Sequence, residues 1–312
     1  MEPLSDSDRQ PPPGPAPGSA TTPDARAGDE RAAVGYALAA VAAWSTVATG
    51  FKLGLEVLAP LQLLLIGTVV SAALFAGLAS WQRCWQISPR TIAWGTGLGV
   101  LNPFLYYVVL FEAYDRLPAQ IAQPLNYTWA ITLAVLAVPI LGQPLGRRTL
   151  AGIVVGYVGV LILLSQGRID AWPTLDWPGV VLALASTVLW ASYWLLNARA
   201  PLPPLTVMAW SFLLATPLVA TACLLGPGWP ALDARTLGFG AWVGLIEMGF
   251  TFLLWQRALR LTGNAGRIGQ LIFLSPFLSL VLIGTVLGET IHATSVVGLG
   301  VIVVGLWLSR RA

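Results

Sequence analysis

From Ala32 onward the chain repeats one pattern, in which apolar stretches alternate with short segments carrying Arg, Asp, Pro or Gly. Each stretch is about 20 residues long, enough for a helix to cross about 30 Å of hydrocarbon. The stretches lie at roughly 32–51, 60–80, 91–113, 118–141, 149–166, 177–198, 204–226, 236–258, 265–287 and 292–309. This predicts an all-α polytopic membrane protein of ten transmembrane helices, and an even count leaves both termini on the same side.

Composition removes the alternatives. Of 312 residues, 56% are hydrophobic and only 10% charged, whereas soluble domains carry about 25% charged side chains. Residues 1–31 hold nine of the 31 charges, so the rest of the chain has still less with which to build a hydrated surface. That segment, with the run Pro11-Pro12-Pro13-Gly14-Pro15, is predicted to be a disordered tail. It lacks an apolar signal region, so the first apolar run reads as a spanning helix. A soluble enzyme, a nucleic-acid binder and a scaffold all fit poorly. The expected partners are the bilayer and a small molecule, with no nucleic acid. Cys84, Cys223 and His292 are the whole complement of cysteine and histidine, too few for a zinc set. No P-loop is present and no Ser/His/Asp set can form around one His, so neither a cofactor nor a metal is expected.

The basic residues give orientation. With the amino terminus inside, Arg9, Arg26, Arg31, Arg83, Arg90, Arg147, Arg148, Arg199, Arg257, Arg260, Arg267, Arg310 and Arg311 fall on the inner side. Only Lys52, Arg116, Arg168 and Arg235 fall on the other, so the positive-inside bias favours cytoplasmic termini. Cys84 and Cys223 then lie near opposite faces, and a disulfide between them is not expected.

A shift of 146 residues superposes the chain on itself. Leu141-Gly142 falls on Leu287-Gly288, Gly152 on Gly298, Val155 on Val301, Val158-Gly159 on Val304-Gly305, and Trp44 on Trp190. The halves are 32–167 and 177–309. Five helices in each would force them into opposite orientations, and an inverted repeat is a signature of alternating-access transporters.

The paired endings LGQPLGRRTLAGIVVGYVGVLILLSQG (Leu141 to Gly167) and LGETIHATSVVGLGVIVVGLWLS (Leu287 to Ser309), with the ten-helix count and the duplication, resemble the EamA group of the drug/metabolite transporter superfamily. The first half departs from the family pattern in having Gln143 where Glu is common. Within the group, the segment QPLNYTW (Gln123 to Trp129) and the many tryptophans look most like the bacterial aromatic amino acid exporters. The resemblance implies a central cavity between two inverted halves, and export across the bacterial inner membrane.

Polar groups within a span tend to face a cavity or another helix. Asn102 and Tyr106, at i and i+4 in the third span, share a face, and Pro103 beside them predicts a bend. In the fourth span Gln123, Asn126 and Trp129 form a stripe next to Pro124. Bent helices near the midplane are where transporters hold substrate; alternatively, Asn102, Gln123 and Asn126 only join helices by hydrogen bonds worth about 0.6–2 kcal/mol.

Trp81, Trp85, Trp172, Trp177, Trp229 and Trp307 lie near span ends, where an aromatic belt is expected. Trp44, Trp129, Trp190, Trp194 and Trp255 lie deeper. Of these, Trp44, Trp129 and Trp190 are candidates for an aromatic-substrate pocket, while packing is the expectation for Trp194 and Trp255. In the ninth span Gln270 and Phe273 share a face, with Pro276 as a hinge. Glu247 is the one carboxylate placed well inside a span. An anion is costly there, which makes Glu247 a candidate proton carrier, a contact for a substrate ammonium, or a hydrogen-bonded structural residue. Gly95, Gly97 and Gly99 are expected to permit close helix contact.

The expected substrate-binding set is therefore Asn102, Tyr106, Asn126, Trp129, Trp44, Trp190, Gln270 and Phe273, with Glu247 for proton coupling and no metal ligands. The functional expectation is a monomeric inner-membrane exporter of small metabolites, which the resemblance narrows to aromatic amino acids. A broad exporter of drugs or cations coupled to protons is the alternative within transport. A membrane-embedded transferase is the alternative outside it, and would need convergent catalytic His or carboxylate residues.

Overall fold

The computed structural model describes residues 23–142, 146–166, 175–197, 199–262, 268–269 and 271–309. Among these residues there is no strand. Eight helices are long and apolar enough to cross a membrane: α1 (Asp29–Leu55), α2 (Pro60–Trp81), α3 (Pro89–Arg116), α4 (Ala119–Ile140), α5 (Arg147–Ser165), α6 (Trp177–Asn197), α7 (Pro204–Leu225) and α8 (Ala234–Leu261). Two shorter apolar helices follow, α9 (Leu271–Val286) and α10 (Ala293–Leu308). Gln143 and Gln270 lie outside the described residues.

The helical backbone ahead of α1 begins at Pro23, within the segment expected to be part of the tail. Elongating an existing helix fixes one residue per hydrogen bond, which is far easier than nucleating a new one. α1 therefore extends backwards from its anchored apolar part. Cys84 and Cys223 are both free thiols.

The helix contacts come in pairs that exchange under the 146-residue shift. α1 packs on α8 as α6 packs on α3, α2 on α8 as α7 on α3, and α4 on α6 as α9 on α1. The α2–α7 and α5–α10 contacts are their own counterparts. The last is a backbone crossing. A Cβ on Gly159 would lie 2.6 Å from the Gly298 carbonyl oxygen, one on Gly298 2.7 Å from that of Gly159, and one on Gly305 2.5 Å from that of Gly152. Gly152 and Gly159 correspond to Gly298 and Gly305, so the two contacts map onto each other, as across a two-fold axis. Each joins the early part of one helix to the late part of the other, so α5 and α10 run antiparallel. With no hydrophobic drive between helices in lipid, such close approach is a main source of helix adhesion.

Elsewhere small residues do the same. Gly95 and Gly99 of α3 meet Trp210 and Ser211 of α7, whereas a Cβ on Gly97 would meet no neighbouring helix within 4 Å. Ser71 of α2 donates to the Gly244 carbonyl of α8 at 2.9 Å. The outer faces stay apolar, as along α5, where Leu150, Val154, Tyr157, Val158 and Leu161 are exposed. An apolar surface of that extent is suited to hydrocarbon rather than water.

Candidate functional site

Three helices lose their regular form near mid-length, and local chemistry accounts for much of it. In α3, Asn102 has φ −148° and ψ 118° inside an otherwise helical run. Proline disfavours the helical region for the residue before it, so Pro103 forces the break at Asn102. The expected shared face of Asn102 and Tyr106 is thereby lost. α4 is interrupted at Thr128, between the helical runs Ala119–Tyr127 and Trp129–Leu141. α8 widens into a π-helical stretch, Val243–Phe250, with Glu247 inside it. Wide turns of this kind are common at functional sites.

Between the two halves these irregular segments enclose a cavity of ≈ 320 Å³. α1 contributes Trp44, Val47 and Phe51; α3 contributes Tyr106, Leu110 and Tyr114; α4 contributes Gln123, Asn126, Tyr127 and Trp129. From the second half come Trp190, Trp194, Glu247, Trp255, Leu259, Gly269 and Ile272. Its size is at the small end of the range for small-molecule sites. The lining has five indoles, three phenols, two amides and one carboxylate, and among the described residues it includes no Lys, Arg or His.

The aromatic walls brace one another. Tyr106 stacks on Trp190 with ring centroids 4.5 Å apart, and Trp190 stacks on Tyr193 at 5.7 Å. Trp44 meets Trp255 at 5.4 Å and the edge of Phe252 at 5.9 Å. Asn126 ties α4 to its neighbours, donating to Ser186 Oγ at 3.0 Å and to the Tyr106 hydroxyl at 3.4 Å.

Glu247 is 7% exposed and takes one strong contact, from the Tyr107 hydroxyl to its Oε1 at 3.0 Å. Among the described residues its Oε2 finds no hydrogen-bond partner, and neither do Gln123 Oε1 and Trp194 Nε1. All three atoms belong to residues of the cavity wall. Buried polar atoms are nearly always paired in folded proteins, so a cluster of exceptions on one cavity marks it as a place for a polar ligand.

Of the expected binding set, the structure brings Trp44, Tyr106, Asn126, Trp129 and Trp190 to the cavity together with Glu247. Asn102 is buried at 3% exposure but is not part of the wall. Phe273 packs against the hydrophobic core instead, and Gln270 lies outside the described residues. Trp194 and Trp255, expected to serve packing, are wall residues. Both also border an adjoining chamber of ≈ 390 Å³, with Trp129 as the third shared indole. Tyr114, Tyr127 and Phe51 carried no expectation. Tyr114 follows Tyr106 by eight residues, and the helical repeat places it on the same face.

The end of the bundle holding the α3–α4 and α9–α10 connections is tied shut. Glu289 accepts from the backbone N–H groups of Ala119 and Gln120 at 2.8 and 3.2 Å, at the start of α4. An anion there complements the unpaired N–H groups and positive end of a helix. The Gln120 side chain donates to Thr290 O at 2.9 Å and accepts from Ser295 Oγ at 2.9 Å. Lys52 Nζ adds bonds from α1 to the carbonyls of Tyr114 and Leu117.

A duplicated helical bundle around a closed-in aromatic cavity, in a chain with membrane-spanning helices, defines a membrane transporter rather than an enzyme. The chain belongs to the EamA-like transporter family, which matches it twice, over residues 31–165 and 177–311. It is 28% identical over 223 residues to the aromatic amino acid exporter YddG of Ancylobacter novellus, covering 70% of this chain and 73% of that protein. A probable amino-acid metabolite efflux pump of Salmonella typhimurium is 25% identical over 286 residues, covering 88% of this chain and 93% of the pump. A crystal structure aligns with a TM-score of 0.63 at 20% identity, over 89% of this chain and 96% of the other, a likeness of fold.

Proposed function

We propose that this chain is a monomeric exporter of small aromatic metabolites, aromatic amino acids foremost, working by alternating access in a bacterial inner membrane. In this reading all ten helices cross the bilayer, the halves 32–167 and 177–309 are inverted, residues 1–31 form a cytoplasmic tail, and both termini are cytoplasmic. The observation that carries it is the ≈ 320 Å³ cavity between the halves, walled by five tryptophans and three tyrosines. Aromatic pairs contribute about 0.5–1.5 kcal/mol beyond the burial of area, so a planar aromatic guest gains on several sides. The name of the Ancylobacter relative supports the same substrate class. Substrate contacts are assigned to Trp44, Tyr106, Asn126, Trp129 and Trp190. Asn102 and Phe273 keep only a supporting place, and Gln270 lies outside the described residues.

The test is transport by the purified protein in liposomes loaded with labelled phenylalanine or tryptophan. Efflux of either under an imposed gradient is expected; movement of unrelated organic cations with neither amino acid would overturn the assignment. One further observation favours proton coupling. Glu247 is a buried carboxylate of the cavity wall, with one oxygen unpartnered among the described residues, able to take up and release a proton as access alternates. Glu247→Gln is expected to abolish the dependence of transport on a pH gradient, and unchanged dependence would remove Glu247 from that role.

A further inference from the structure

We infer that the cavity recognises its guest through a protonated amino group held by Glu247 and Gln123, so that aromatic primary amines lacking a carboxylate are also substrates. The inference rests on the reading of the cavity as a transport site and narrows what that site demands of a guest.

The three unpaired buried atoms on the wall are unequal in chemistry. Glu247 Oε2 and Gln123 Oε1 are acceptors, one of them on a carboxylate, and each residue is nine-tenths or more buried. Trp194 Nε1 is a single neutral donor. An alkylammonium offers three N–H donors and a positive charge, and matches acceptors of this kind with charge-assisted bonds. The surrounding indole and phenol faces also attract a cation. A carboxylate on the same guest meets only neutral donors, the indole N–H groups, the hydroxyls of Tyr106, Tyr114 and Tyr127 and the amides of Gln123 and Asn126, the last already donating to Ser186 and Tyr106. The one carboxylate of the wall therefore favours the amine, and the acid end of an amino acid is accommodated rather than required. The conjugate prediction concerns acids: an aromatic carboxylate with no amine would leave both acceptors unpaired beside a second negative charge, which is costly in a dry site.

The test uses the full-length protein in liposomes and three indole compounds of similar size: tryptophan, tryptamine and indole-3-propionate. Tryptamine is expected to move, and to inhibit tryptophan movement at concentrations within about tenfold of tryptophan itself. Indole-3-propionate is expected to leave transport unaffected even at about a hundredfold excess. Glu247→Gln and Gln123→Leu should each weaken inhibition by tryptamine about tenfold or more, with elution as a monodisperse peak as the check on folding. Gln123→Glu, which retains an acceptor, should preserve it. Inhibition by indole-3-propionate equal to that by tryptamine would overturn the inference while leaving aromatic transport standing. Tryptamine transport without tryptophan transport would uphold the inference and sink the amino acid assignment. Failure of all three to bind or move would remove both.

Discussion

Trp190 touches more rings than any single contact requires. It stacks on Tyr106 and Tyr193, and meets Trp194 and Phe252 at their edges. Trp190→Ala removes one wall of the cavity and the brace for Tyr106. Loss of one or two aromatic contacts corresponds to a rise of about 2- to 10-fold in the substrate concentration for half-maximal transport. Trp190→Phe, which keeps a stacking face, should recover most of it, and equal defects in both variants would make the residue a packing element only. Much of this wall is legible in the sequence, because indoles and amides inside an apolar span have few uses and the helical repeat groups them. Helical spacing alone puts Asn102 on the face of Tyr106, whereas the backbone breaks at Asn102 itself. The signal that corrects it is the following proline, which withholds the helical conformation from its predecessor. Trp194 and Trp255 were harder, since a Trp on the cavity and a Trp between helices look alike until the neighbouring helix is known.

The ends and crossings of the helices decide whether these side chains stay in place. α8 is held at its start by Asp233, whose carboxylate accepts from the backbone N–H groups of Arg235 and Thr236 at 2.8 and 2.9 Å. Those bonds, the one from Thr236 foremost, lower the Asp233 pKa below the ordinary carboxyl value. Because the folded value is the lower one, the stabilisation is complete above the unfolded carboxyl range and is lost as pH falls through the folded value. Asp233→Ala should therefore lower the melting temperature at neutral pH, with the gap from wild type closing in strong acid. At the α5–α10 crossing, Gly159→Ala forces a Cβ onto a backbone carbonyl, and overpacking of this kind costs about 1–3 kcal/mol. Gly300→Ala on α10, where nothing lies within 4 Å, should be neutral or mildly stabilising in the same thermal assay. Equal losses at both positions would show that the crossing is not what limits stability. Glu289→Ala removes the anion from the start of α4. It should raise cysteine labelling of a Tyr114→Cys variant from the side of the α3–α4 connection, and unaltered labelling would show that this tie is not a gate.

For the whole molecule, the all-helical membrane plan and the duplication were readable because hydrocarbon imposes a fixed length on a helix and because copies keep their glycines. The unit of eight long helices and two shorter ones follows that plan. How the copies interlock was not readable, because identical residues at equal offsets do not say which partner each one meets. The structure supplies that in the pairing of Gly159 with Gly298 and Gly152 with Gly305. One consequence concerns replaceability. The joint requires its two helices to run in opposite directions, while two copies of the same half, threaded identically through a bilayer, would present theirs side by side in the same direction. Duplication has thus made each half depend on the other: separately expressed first and second halves are expected to rebuild the joint, and a doubled first half is expected not to.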